Sequence, residues 1–251
     1  MTYEAETPRA YDGGAGREPL ILLPGVLNDA DLWAAQAADL ADVAEVWVPA
    51  MTGHDNLPDL AAEILAAAPP RFALCGLSMG GYTAFEIWRQ APTRVTRLAL
   101  ADTTARPDTK HTQQRRRGLI SLAQKGAFQG VTPRLLPSLI AAANLEDSDL
   151  TGRIHAMARR IGRDGFIRQQ QAIMDRPDNR DLMPDIRVPA LVICGREDQL
   201  TPPSQAQEMA AALPDADLAV LAHAGHLAPM ERPAAVSRAL RGWLARPARD
   251  A

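Results

Sequence analysis

Short, unbroken apolar runs recur along this chain, and longer stretches with helical spacing separate them. Leu20-Ile21-Leu22-Leu23, led in by Pro19, reads as a buried strand, and so do residues 45–48, 71–75, 95–101, 189–195 and 217–221. Helical spacing of apolar residues predicts helices over 31–40, 57–67, 81–90, 204–212 and 234–244, with Pro69-Pro70 and Pro92 standing where two of them must stop. A strand that lacks an alternating polar face is covered on both sides. Runs of this kind, linked by helical crossovers, predict an α/β fold with a mostly parallel sheet flanked by helices.

Residues 104–187 break the alternation. No run there reads as a strand, while helices are expected over 112–125, 133–143, 150–161 and 166–174. The organisation expected is a core domain made of 1–103 and 188–251, with a helical cap, 104–187, inserted between two core strands over the C-terminal edge of the sheet. The insertion carries fifteen Lys and Arg against nine Asp and Glu, so it is basic where the rest of the chain is acidic. A basic lid would steer an anionic substrate. Solvated helix faces, Arg115-Arg116-Arg117 above all, explain the same charges more simply, and that reading is preferred.

Composition changes this picture little. With 251 residues, 47% of them hydrophobic, the chain can bury a sizeable core. A net charge of -3 gives no sign of a nucleic-acid or membrane-surface partner. No apolar run approaches the roughly 18 residues of a membrane span, and residues 1–16 lack the apolar stretch of a secretion signal. Cys75 and Cys194 each fall at the end of a predicted strand, which suits buried thiols better than a disulfide. Cytoplasmic residence is the default expectation.

The chemistry centres on Gly76-Leu77-Ser78-Met79-Gly80, a Gly-x-Ser-x-Gly pentapeptide between a predicted strand and a predicted helix. A serine on so sharp a turn is forced into a strained backbone conformation that lifts its hydroxyl above the sheet edge. Ser78 is therefore the candidate nucleophile. A serine needs a base to take its proton, and histidine has the right basicity. His226, in His223-Ala224-Gly225-His226-Leu227 after the last predicted strand, is the first choice and His223 its rival; His54, His111 and His155 read as polar loop or surface residues. The histidine in turn needs a carboxylate. Asp198, in Gly195-Arg196-Glu197-Asp198, leads; Asp102, ending an earlier strand, is second and could equally cap local amides.

The order Ser78, Asp198, His226 resembles that of the α/β-hydrolase fold superfamily. The Gly-Leu-Ser-Met-Gly-Gly elbow, the Gly-x-x-Asp loop, and Ala-Gly-His followed by Met230-Glu231-Arg232-Pro233 carry the resemblance, which covers nearly the whole chain. It implies an eight-stranded, mostly parallel sheet, with the first two strands reduced or absent here. It also implies an oxyanion hole built from the backbone N–H groups of Met79 and Val26, with Leu27 the neighbouring alternative to Val26. Many relatives have histidine where Pro24 stands, so a side chain that often braces that loop is missing. Leu27, Trp33 and Tyr82 are expected to border the acyl pocket, with a place in the core the alternative for Leu27 and at least as good a reading for Trp33.

The activity implied is that of a serine hydrolase acting on the ester of a small, largely apolar substrate, in the manner of esterases and enol-lactonases. Lactone, thioester or carbon–carbon bond hydrolysis and perhydrolysis stay open on the same triad, as does a non-catalytic binding protein of the same fold. No histidine–carboxylate spacing suggests a metal, and the glycines form no dinucleotide fingerprint, so no cofactor is expected. The expected partner is a small acyl substrate, with no nucleic acid or membrane; homo-oligomerisation is left open.

Overall fold

The computed structural model describes residues 17–248, so the reading of 1–16 as lacking a secretion signal lies outside the described residues. In chain order, β1 (Glu18–Leu23) leads through a 3-10 turn (Ala30–Trp33) into α1 (Ala34–Asp39), then β2 (Ala44–Trp47), α2 (Leu57–Ala67), β3 (Phe72–Leu77), α3 (Met79–Gln90) and β4 (Val95–Ala101). The insertion follows, with α4 (Lys110–Leu122), α5 (Leu136–Leu139) and α6 (Ser148–Met174). The core then resumes with β5 (Ala190–Gly195), α7 (Pro203–Ala212), β6 (Ala216–Leu221), α8 (Ala228–Glu231) and α9 (Pro233–Leu244).

The six strands form one sheet in the order β2-β1-β3-β4-β5-β6, and every pairing is parallel. This is the expected α/β-hydrolase sheet with six strands among the described residues rather than eight. Two-sided burial explains the unbroken apolar runs of β1, β3, β4 and β5, whereas the edge strands β2 and β6 are only partly buried, with Asp217 and Leu218 exposed. Leu20 and Leu22 enter the apolar cluster on one face with Ala73, Cys75 and Trp243; Ile21 and Leu23 enter that on the other, with Phe72, Leu74 and Phe85. Successive side chains of a strand point to opposite faces, so a strand sandwiched between helix layers has no polar positions to offer. Each leucine so buried contributes roughly 1.5–3 kcal/mol.

Local chemistry sets the helix starts. Asn56 accepts from the Asp59 N–H at the head of α2, Thr109 from Thr112 at α4, and Asp147 from Asp149 and Leu150 at α6. Each satisfies N–H groups that the first helical turn leaves without partners.

The insertion departs most from expectation. The helix expected over 133–143 shrinks to the single turn of α5: Pro137, in its first turn, bars the ladder from reaching back to 133, and Ile140 turns extended, with φ −130 and ψ 158, at its end. The helices expected over 150–161 and 166–174 are both present: the span of α6 is divided at Gly162, whose φ 68 and ψ −179 are not helical. At the other end of the chain, α8 was not expected; its four residues are too few to show a period. The predicted helix over 31–40 divides into the 3-10 turn and α1.

The arginines of the insertion are spent largely on holding it down. Arg153 pairs with Asp31 at 2.9 Å, Arg160 with Asp29 at 2.5 Å, and Arg168 donates to the Thr52 carbonyl at 2.6 Å. Arg116 and Arg176 both grip the buried Asp108 at 2.5 Å, and Arg176 lies over the Tyr82 ring at 4.1 Å. Arg115 and Arg117 are exposed, but Arg116 is not the solvated group expected of it.

Candidate active site

Ser78 stands between β3 and α3 with φ 54 and ψ −114, a conformation costing ~1–3 kcal/mol. The surroundings over-determine it. Its N–H donates to the Ala101 carbonyl at 3.1 Å, and its carbonyl accepts from Gly81 N–H, Tyr82 N–H and Thr103 Oγ1. From Phe72 to Trp88 every residue except Ser78 is buried. The turn thus delivers one side chain to an accessible position and hides everything around it. Among the described residues the Ser78 hydroxyl has no hydrogen-bond partner.

The carboxylate and the histidine arrive on the loops after β5 and β6. His226 Nδ1 lies 2.8 Å from Asp198 Oδ2, and both residues are buried. Asp198 also accepts from Leu200 N–H, Thr201 N–H and the Thr201 hydroxyl, at 2.8, 3.0 and 2.7 Å. Burial alone would raise its pKa, but the His226 ring and these donors outweigh burial and hold the carboxyl below its usual range. A carboxylate at Nδ1 makes that nitrogen the donor and leaves Nε2 as the imidazole's acceptor. Glu197 and His223 are exposed, and the His223 carbonyl serves a turn by accepting from Asn144. His54 pairs with Glu63 at 3.0 Å.

The two loops are locked backbone to backbone. A Cβ on Gly195 would lie 2.0 Å from the Gly225 carbonyl oxygen, so only glycine allows the approach. Glu197 N–H donates to the Ala224 carbonyl at 2.9 Å. Asp102 joins the same assembly without touching the imidazole: Gly195 N–H donates to its Oδ1 at 2.7 Å and Ala228 N–H to its Oδ2 at 3.2 Å. These amides are remote in the chain, so Asp102 does not cap local amides, the role its place at a strand end suggests. Burial first, and the Asp198 charge second, push its pKa well up. Asp102, Cys194 and Asp198 bring one oxygen or sulfur each within 4.8 Å of one another. The grouping is ill suited to a metal ion: both carboxylates already accept from protein donors, and burial pushes the Cys194 thiol up, away from thiolate.

The insertion reaches this assembly. His226 and Leu227 N–H both donate to the Leu139 carbonyl, at 2.9 and 3.1 Å. Glu231 accepts from Gly225 N–H with one oxygen and from Ala141 N–H and Asn144 Nδ2 with the other, each at 2.7 Å. Its carboxyl is pushed up chiefly by burial.

The oxyanion candidates lie on the C-terminal ends of neighbouring strands. Met79 is the first residue of α3, ahead of the intrahelical hydrogen-bond ladder. Val26 is half-buried, and its N–H has no acceptor among the described residues. Leu27 beside it has φ 61, and its N–H donates to Oε1 of Gln169 at 3.0 Å. Leu27, Trp33 and Tyr82 are all buried, and the Trp33 indole N–H has no acceptor among the described residues. Sequence reasoning missed Gln169, Thr201 and Glu231. Thr201 lay three residues past Asp198, and Glu231 stood inside a motif already singled out but without a role of its own; nothing marked Gln169, which meets Leu27 across 142 positions.

A parallel sheet bearing a strained serine at a strand–helix elbow, and an Asp–His pair on later loops at the same edge, defines the α/β-hydrolase class. The chain belongs to the Alpha/beta hydrolase family, which matches residues 20–239, and it is a hydrolase. A thermophilic esterase from Thermogutta terrifontis is similar at 29% identity with a TM-score of 0.84, covering 90% of this chain and 89% of that one. An enol-lactonase from Burkholderia xenovorans LB400 is similar at 25% identity with a TM-score of 0.84, covering 94% and 95%. The dihydrolipoyllysine-residue acetyltransferase component of an acetoin cleaving system from Pseudomonas putida is 28% identical over 92% of this chain, which spans only 65% of that relative.

Proposed function

We propose that the chain is a serine esterase acting on small, largely apolar acyl substrates through Ser78, His226 and Asp198. His226 Nε2 takes the Ser78 proton as the hydroxyl oxygen attacks the substrate carbonyl. Met79 and Val26 N–H groups donate to the developing oxyanion. His226 returns the proton to the leaving alcohol, an acyl-enzyme remains, and water attacks it with His226 as base. Asp198 holds Nδ1–H and stabilises the imidazolium. The observation that carries this reading is the 2.8 Å contact of His226 Nδ1 with Asp198, which leaves Nε2 to act. The Ser78–His226 hydrogen bond is expected to close on substrate binding, as such bonds often do.

In this reading residues 104–187 form the cap, and Leu27, Trp33 and Tyr82 border the acyl pocket. Two free, buried cysteines support a reducing, cytoplasmic setting. Cyclic esters are the second reading, favoured by the likeness to an enol-lactonase. A panel of nitrophenyl esters of graded acyl length, run beside several lactones, separates the two. Fluorophosphonate labelling tests the nucleophile: the wild type is labelled and Ser78→Ala is not, with turnover in Ser78→Ala and His226→Ala down by about 10³-fold or more. Near-wild-type turnover in either variant eliminates the mechanism, and an unlabelled wild type points to a binding protein.

A further inference from the structure

The geometry points to Gln169, on α6 of the insertion, as the positioning residue of the oxyanion loop; this rests on the hydrolase mechanism proposed above. Three observations converge on it. Leu27 is a leucine in the left-handed region, at φ 61, immediately after the Val26 N–H that would face the oxyanion. Glycine occupies that region freely, whereas a side-chain-bearing residue there is strained and persists only when its neighbours hold it. The hold is visible: Leu27 N–H donates to Gln169 Oε1 at 3.0 Å, while Asn28 N–H closes the turn on the Gly25 carbonyl at 3.2 Å.

Gln169 is itself fixed. Its side chain is fully buried, and its Nε2 donates to the Met51 carbonyl at 3.3 Å. Both ends of the amide are therefore committed: the oxygen grips the strained loop and the nitrogen grips the segment after β2. An amide satisfies both roles at once. A carboxylate keeps the first and loses the second, and an aliphatic chain loses both. On the side before Val26, Pro24 and Gly25 carry no polar side chain that could hold the loop. Removing the acceptor frees the Val26–Leu27 peptide, and through the shared Val26 Cα it loosens the Gly25–Val26 peptide, which carries the Val26 N–H.

Such a residue acts on the transition state more than on substrate binding. Gln169→Leu is expected to lower kcat for a nitrophenyl ester by about 10- to 100-fold with KM within about threefold. Affinity for a trifluoromethyl ketone, whose adduct carries the oxyanion, should fall by a similar factor, while affinity for the carboxylate product holds. Gln169→Glu keeps the acceptor and should recover most of kcat. Rates are expressed per active site, counted by fluorophosphonate titration, and thermal unfolding is followed in parallel. Unchanged kcat per site in Gln169→Leu, or a KM effect alone, overturns the assignment. So does equal loss in Gln169→Leu and Gln169→Glu, or failure of both to fold, since either outcome marks a residue of stability only. Ser78→Ala in the same assay keeps the two readings apart: full activity there removes the hydrolase mechanism, whereas a dead Ser78→Ala beside a fully active Gln169→Leu removes only the positioning role.

Discussion

Two buried carboxylates, Asp102 and Asp198, approach within 4.8 Å of each other and meet opposite fates. Asp198, beside His226 and Thr201, is held below the usual carboxylate range despite its burial. It therefore contributes stability that is present above that range and lost as pH falls through its folded value. Asp102 is pushed well up, so its contribution is present at low pH and lost as pH rises through its folded value. Asp198→Asn should flatten the acid limb of a melting-temperature profile taken from about pH 3 to about pH 9, and Asp102→Asn the opposite slope. Activity should separate them further: Asp198→Asn lowers kcat by about 10³–10⁴-fold, Asp102→Asn by about tenfold or less. A larger loss from Asp102→Asn would reverse the assignment of the acid. Asp198 was legible from its place after a strand. That Asp102 staples the β5 and β6 loops was not, because its partners Gly195 and Ala228 lie far along the chain.

At the scale of elements, β3, the elbow and α3 form the unit that matters. They were also the most legible, since an apolar run, a glycine-flanked serine and a helical run are all local signals. Gly80 shows how tightly the unit is built into the sheet: a Cβ there would lie 2.2 Å from the carbonyl oxygen of Leu23 in β1. Gly80→Ala should cost ~3 kcal/mol, read as a lowered urea midpoint, because backbone rather than a flexible side chain stands in the way. A neutral substitution would mean that α3 and β1 are farther apart than described. The insertion was less legible. Its two helical segments at 150–161 and 166–174 read correctly, one on each side of the non-helical Gly162, but the path between 133 and 143 did not. The turn of α5 was overextended because its apolar residues face the core from an irregular path, which periodicity cannot distinguish from a helix.

Across the whole molecule, the basic insertion on an acidic core reads as an internal arrangement. Arg153–Asp31 and Arg160–Asp29 are partly solvated, and such pairs contribute up to ~1 kcal/mol each. Asp108 is different. It is buried between Arg116 and Arg176, and removing it strands two guanidinium groups. Asp108→Ala should destabilise the fold by ~3–5 kcal/mol, seen as a fall in melting temperature, whereas Arg153→Ala should shift it little. Reversing the exposed Arg115 and Arg117 should leave kcat/KM for an acidic ester within about twofold at low and high salt. A salt-dependent loss would restore the steering lid.

The sequence by itself determined the sheet and the place of a serine between glycines at its edge. Two-sided burial writes itself as unbroken apolar strands, and a nucleophile elbow needs its glycines next to its serine, so both signals are local. Only the tertiary structure decided where Asp102 goes, what the insertion's arginines hold, and how the strained Leu27 is kept in place. Those outcomes depend on contacts between residues as far apart as Leu27 and Gln169, and such contacts exist only once packing has brought the surfaces together.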